Sequence, residues 1–244
     1  ESIQELRSTI LQLAVQGKLV PQNPKDPPAN ELLQQIKEEK ERLVKEGKIK
    51  KQKSLPPIEP DEVPFELPEG WEWTRLGELG QIIGGGTPKT DVPENFSANG
   101  IPWLTPADLN GLKNKYIGKG KRDISNKGLK NSSAKLLPPE TVLFTSRAPI
   151  GYLAIAKNEL ATNQGFKSCI PYFIETNHYI YIYLQYIAPN LNKKAPGTTF
   201  KEVSGKIVAM IPIALPPLAE QHRIVAKVDQ LMTLCDDLEH KKKN

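Results

Sequence analysis

An α/β (α+β) globule flanked by long helices is the fold class that the 244 residues predict, and three observations carry it. Short apolar runs separated by turns fill the middle of the chain, as in IPWL (101–104), TVLFT (141–145) and YLAIA (152–156). Apolar residues recur at helical spacing near both ends. Prolines at 56, 57, 60, 64 and 68 separate the N-terminal helical part from the middle, because none of them can donate to a helix or a ladder.

Residues 1–16 read as a helix with Ile3, Leu6, Ile10 and Leu13 three and four apart, and Gly17 as its stop. PQNPKDPP (21–28) breaks the chain before a second helix, about 30–46. That helix carries Leu32, Leu33, Ile36, Leu43 and Val44 on one side and a dense Glu/Lys face on the other. Residues 47–68 read as an extended linker. Strands are expected from Trp71, at 101–104, 141–145, 152–156 and 167–171. HYIYIYLQYI (178–187) is long enough for a helix, which Ala188-Pro189 should close. An apolar strand is expected over 207–215, stopped by Pro216-Pro217. From 218 a final helix carries Ile224, Val225, Val228, Leu231, Met232, Cys235 and Leu238 as a broad stripe. At roughly 1.5 Å per residue it is a rod of about 35 Å. Periodicity allows that stripe to dock on its own globule or to meet another helix. The division that follows is a helical segment with its linker (1–65), a globule (66–216) and a terminal helix (217–244). The flanking helices are read as unable to bury their own stripes, so these should pair with a partner.

A composition of 38% hydrophobic and 25% charged residues excludes a disordered chain. No apolar run approaches the roughly 18 residues of a membrane span, and the start shows no signal peptide. The two distant cysteines are expected to be reduced, buried thiols of a cytoplasmic protein. Cys169 and Cys235 form no CxxC pair and join no cluster with His178, His222 and His240, so no metal site is expected. A net charge of +5 mildly favours a polyanionic partner.

Four loops place small, polar and basic residues beside glycine: GGGTPKT (84–90), TSRAPIG (145–151), ATNQGFKS (161–168) and PGTTFKE (196–202). Glycine lets a backbone approach a ligand, Ser, Thr and Lys bond phosphates, and Arg, Asn and Gln can make paired bonds to base edges. The candidate DNA contacts are Thr87, Lys89, Thr90, Lys119, Lys121, Arg122, Arg147, Asn163, Gln164, Lys167, Thr198, Thr199 and Lys201. Catalytic patterns are missing: the glycines lack the GK[ST] of a phosphate-binding loop, Ser146 lies outside a GxSxG elbow, and no [DN]PP[FY] occurs. No catalytic residue is therefore assigned. A stand-alone DNA-modifying enzyme and a coiled-coil adaptor without DNA readout remain the competing readings.

The segments ELRSTILQLAVQGKLVPQ (5–22), LPEGWEWTRLGEL (67–79), IPWLTPADL (101–109), KLLPPETVLFTSRAPIGYLAIA (135–156), LATNQGFKS (160–168), GTTFKEVSGK (197–206) and PPLAEQHRIVAKVDQL (216–231) form an ordered series. That series resembles the specificity (S) subunits of type I restriction-modification systems. The resemblance implies a target-recognition domain and a conserved spacer helix that packs antiparallel to another. Each such domain reads one half of a split double-stranded DNA target, and the helices dock methyltransferase (M) subunits and, through the complex, a restriction (R) subunit. It further implies a bacterial or archaeal cytoplasmic protein without a cofactor of its own, with S-adenosylmethionine, ATP and magnesium on the partner subunits. The chain matches one repeat where the family has two, so a homodimer or a second S half is expected across the helices. The residues for that contact are Ile3, Leu6, Ile10, Leu13, Ile224, Val228, Leu231, Met232, Cys235 and Leu238. Segments idiosyncratic to this chain, 89–99 and the lysine-rich 110–134, are the expected base readers.

Overall fold

The computed structural model describes residues 2–147, 149–194 and 202–243. Helix α1 spans Ile3–Val15 and starts in a capping box: Glu5 N donates to Ser2 Oγ at 3.1 Å while Ser2 N donates to the Glu5 carboxylate at 2.6 Å. Gly17, at φ +72°, ends it as the sequence predicts, with Lys18 N donating to Leu13 O at 2.9 Å. Helix α2 spans Ala29–Lys45. Strand β1 (Glu72–Arg75), a single helical turn α3 (Leu76–Leu79) and β2 (Gly80–Gly84) lead into the mixed part. There β3 (Phe96–Ser97), β4 (Ile101–Leu104), β5 (Tyr116–Ile117), β6 (Arg122–Ile124) and the short helix α4 (Asn126–Lys130) precede β7 (Val142–Phe144), β8 (Leu153–Ala156), β9 (Ala161–Thr162) and β10 (Lys167–Pro171). Helix α5 (Asn177–Lys194), α6 (Gly205–Met210), β11 (Pro212–Leu215) and α7 (Leu218–Lys243) complete the chain.

The strands form three sheets: β1 with β11, the five-stranded order β2-β10-β7-β8-β5, and the four-stranded order β3-β6-β4-β9. Two pairs are parallel, β4 with β9 and β5 with β8, so the sheets are mixed. Trp103, Ile124, Ala134 and Ala161 form a small core on the four-stranded sheet. Leu104, Leu137, Leu143 and Phe166 fill a second core. The largest core joins the helices to the middle of the chain: Ile10, Ala14, Leu32 and Ile36 are buried with Leu76, Tyr179, Tyr183, Ile213, Ile224 and Val228. It therefore runs across residues 65 and 216.

Three expectations need correction. The flanking stripes do not wait for a partner, because α1 and α7 pack on each other and on α5 within the chain. They run antiparallel: Arg7 meets Asp236 near the end of α7, and Gln22 beyond α1 meets Glu220 near its start. Ala14 and Cys235, both fully buried, are small enough for the helices to approach closely. Residues 207–215 are not one strand. Ser204 caps α6 by accepting from Ile207 N at 3.2 Å, and only Pro212–Leu215 pairs, with β1. Pro189 does not close α5, which continues to Lys194. Its buried side, Tyr179, Ile180, Tyr183 and Leu184, is anchored before the proline, and Asn192 Nδ2 donates to Ala188 O at 3.2 Å beyond it.

The linker 47–68 is irregular apart from one turn at Pro60–Glu62, as its prolines require. It is nonetheless strapped to the globule. The buried Arg75 guanidinium donates to Pro56 O at 3.1 Å, Pro57 O at 2.7 Å, Met210 O at 2.8 Å and the Glu62 carboxylate at 2.5 and 2.8 Å.

Candidate nucleic-acid interface

The two idiosyncratic segments meet in one antiparallel pair. Strand β3 belongs to 89–99 and β6 to 110–134, with Phe96 opposite Ile124 and Ser97 opposite Asp123. Here Lys119, Lys121 and Arg122 are exposed and share a shallow groove with Phe96. The guanidinium carbon of Arg122 stands 3.9 Å from the Phe96 ring centroid. Two acids beside the groove, Asp108 and Asp123, turn inward. Asp123 accepts from Gly100 N at 3.2 Å, and Asp108 accepts from Lys121 N at 3.0 Å and Thr105 N at 2.8 Å. Backbone amides thus occupy the carboxylates, and the cations are left facing outward. Lys115 behaves differently from its neighbours: it reaches Asp229 of α7 at 2.8 Å and joins the helical side of the molecule.

The glycine-rich loops converge on the opposite edge of the four-stranded sheet. Thr87 Oγ1 hydrogen-bonds Gln164 Oε1, linking GGGTPKT to ATNQG. Asn163 N donates to Leu104 O at 2.8 Å, and its side chain accepts from Gly165 N at 2.8 Å, so Asn163 is spent on shaping the loop. Lys167 Nζ lies 3.5 Å from Gln164 O. TSRAPIG joins through Ser146 N, which donates to Gly165 O at 2.8 Å. Arg147 is exposed but ion-paired with Glu202 at 3.2 Å. Lys89 and Thr90 are exposed beside this cluster. Thr198, Thr199 and Lys201 lie outside the described residues.

Two of the glycines serve packing rather than an open cradle. A Cβ at Gly85 would stand 2.0 Å from Asn163 O, and one at Gly86 would stand 2.3 Å from Ser133 Oγ. Gly86 O also accepts from Trp103 Nε1 at 3.0 Å. Trp103 meets the Phe96 ring edge-on with centroids 6.4 Å apart. The chain of contacts Gly86–Trp103–Phe96–Arg122 therefore ties the glycine loop to the basic groove. Phe96 carries no chemical signal of its own in the sequence; its role emerges only from the β3–β6 register.

On the helical side, Ile10, Ile224, Val228 and Cys235 of the predicted contact residues are buried within the chain. Ile3, Leu6, Leu13, Leu231 and Met232 are partly buried, and Leu238 is 47% exposed. Leu234, which the helical spacing did not single out, is 51% exposed four residues before Leu238 and on the same face. Two polar junctions fix α7. The buried Glu220 accepts from Trp71 Nε1 at 3.0 Å and from Gln22 Nε2 at 2.9 Å, and burial pushes its carboxyl above the usual range. Beside Lys115, the Tyr116 hydroxyl lies 3.0 Å from His178 Nε2 and donates to Glu140 at 3.0 Å. Burial, then the Lys115 charge, lowers the His178 pKa, and burial raises that of Tyr116 to about 12. Both Cys169 and Cys235 are buried free thiols. Among the described residues no group of three or more His, Cys, Asp or Glu is placed to hold a metal ion, and no helix is long and apolar enough to cross a membrane.

A family model described as the type I restriction modification DNA specificity domain matches residues 68–244. The chain is 36% identical over 259 residues to the type I restriction enzyme EcoAI specificity subunit of Escherichia coli, covering 98% of this chain and 41% of that one. It is 38% identical over 258 residues to the EcoEI specificity subunit of the same organism, covering 97% and 41%. The MjaIX specificity subunit of Methanocaldococcus jannaschii is 38% identical over 181 residues, covering 73% and 41%. Among solved structures, a chain from work on complex assembly and conformational transition of the type I R-M system aligns with a TM-score of 0.60 at 25% identity, over 99% of this chain and 52% of that one. The HsdS subunit from Thermoanaerobacter tengcongensis shares the fold, with a TM-score of 0.57 at 24% identity over 98% and 50%. The chain spans 41% of the length of each of these three curated relatives.

Proposed function

The chain belongs to the type I restriction-modification DNA specificity family, and from that premise we propose that it reads one half of a split double-stranded DNA target for a methyltransferase. The observation that carries this reading is the electrostatic sorting around the groove where the two idiosyncratic segments pair. Asp123, beside Arg122, and Asp108, just before the second segment, are bound to backbone amides, while Lys119, Lys121 and Arg122 stand outward in one groove at the β3–β6 pair. Cations so arranged neutralise phosphates and release counterions, and side chains between them reach base edges.

In this reading the chain performs no chemistry. It holds a partner's active site over the right bases, and S-adenosylmethionine, ATP and magnesium are bound by the M and R subunits. The helical side supplies the docking face. Because the inner stripes of α1 and α7 are covered within the chain, the outer face at Leu234 and Leu238 is what remains for an M subunit or a second S half. A two-fold pair of such chains would read a palindromic split target.

The test is methyl transfer from labelled S-adenosylmethionine to duplex DNA, with the chain alone, an M subunit alone, and both. Sequence-specific transfer is expected only in the mixture. Transfer by the chain alone would establish a stand-alone enzyme, and unchanged M-subunit activity on addition of the chain would leave an adaptor without DNA readout.

A further inference from the structure

We infer that Arg122 reads a guanine in the target through its N–H fork, with Phe96 as the ring that positions it; this rests on the reading of the chain as a DNA-recognition unit. The chain has six arginines, at 7, 42, 75, 122, 147 and 223. Five are held by acids: Arg7 by Asp236, Arg42 by Glu39 and Glu46, Arg75 by Glu62, Arg147 by Glu202, and Arg223 by Asp26. Arg122 has an aromatic ring instead, 3.9 Å from its guanidinium carbon, and no side-chain hydrogen bond or ion pair among the described residues. A ring takes a face of the guanidinium and leaves its in-plane donors unclaimed. An unclaimed fork on an exposed side chain is available to a ligand.

The support beneath it is rigid. Phe96 is fixed by the β3–β6 register and by edge-on contact with Trp103, which is 4% exposed and donates to Gly86 O at 3.0 Å. Ordering the arginine before DNA arrives reduces the entropy lost on binding. The adjacent carboxylate does not compete for the fork, since Asp123 is turned to Gly100 N. Lys119 and Lys121 line the same groove and are suited to the phosphates that set the register.

The chemistry selects the base. Guanine presents two acceptors, N7 and O6, on its major-groove edge, and these match two donors of one guanidinium. Adenine replaces O6 with a donor, cytosine offers a donor, and thymine offers a single acceptor beside a methyl. A lysine at 122 keeps the charge but has neither the planar fork nor the stacking surface.

The experiment is selection of duplexes with a randomised core by the full chain, in parallel with Arg122→Ala, Arg122→Lys, Phe96→Leu and Lys119→Ala, all checked for fold by circular dichroism. The wild type should fix one or more guanines. Both Arg122 variants should lose preference at one of those positions while keeping the rest, and Phe96→Leu should weaken the same position. Lys119→Ala should weaken binding to all sequences alike. Placing 7-deazaguanine at the identified position should then cost the wild type about tenfold in affinity and the Arg122→Ala variant nothing. Retention of every preference by Arg122→Ala, or a uniform loss like that of Lys119→Ala, would overturn the role of Arg122 while leaving DNA recognition intact. A folded wild type that selects no sequence would overturn the recognition reading and the inference together.

Discussion

Arg75 carries more of the architecture than any motif in its neighbourhood suggests. Its guanidinium is 4% exposed and ties three carbonyls and one carboxylate from 56–62 and 210 onto β1. Arg75→Ala should cost about 2–3 kcal/mol, because those buried carbonyls lose a charged donor. Urea denaturation checks the magnitude, and proteolysis within 55–62 checks that the strap has been released. The partner side gives a pH signature. The Arg75 guanidinium, and then Glu59 N, hold the Glu62 carboxyl at about 2 against an ordinary 4.5. A depressed folded value means that its stabilisation is complete above about 4.5 and disappears as the pH falls towards 2. Glu62→Gln should therefore flatten that part of the acid-unfolding profile; an unaltered profile would show that the pair does not couple to folding. In the sequence Arg75 is one charge in WTRLGEL, and nothing local marks it as the strap's anchor.

At the level of elements, the apolar stripes were legible and their destination was not. Helical spacing identified α1 and α7 correctly, but spacing is the same whether a stripe meets its own chain or another. The structure gives the inner stripe to α1 and α5 and leaves Leu234 and Leu238 outside, at 51% and 47% exposure. Met232 packs against the largest core, so replacing it tests folding as well as assembly. Leu234→Lys with Leu238→Lys separates the two. The double variant should keep its thermal midpoint within about 2 °C, since exposed substitutions cost little. It should also fail to co-elute with an M subunit on gel filtration. Undiminished co-elution would move the docking face elsewhere. The departure at 207–215 has a local cause: Ser204 and Gly205 start a helical turn inside an apolar run, and periodicity cannot divide so short a run.

For the molecule as a whole, charge is distributed by position rather than amount. A net charge of +5 says little, yet among the described residues the cations of the β3–β6 groove have no ion pair, while Lys115 and Arg147 are paired. Lys119→Ala with Lys121→Ala should weaken DNA binding uniformly across sequences. The slope of log affinity against log salt should fall by about 2, near 0.9 for each phosphate that is no longer neutralised. An unchanged slope, measured by fluorescence anisotropy over a salt series, would take both lysines off the phosphate backbone. Among the candidate contacts, Lys119, Lys121 and Arg122 were visible as a cluster in the sequence because they are nearly consecutive. The link between Thr87 and Gln164 was not, since 77 residues separate them.

What the sequence determined by itself was the long helices, the longer strands, the mixed class and the family, because periodicity, turn residues and an ordered series of motifs are local properties. The tertiary structure decided the rest. Burial assigns the inner stripes to the same chain, backbone amides silence Asp108 and Asp123, and strand register sets Arg122 on Phe96. Each of these depends on which distant segments share a surface, and residue order along the chain does not carry that information.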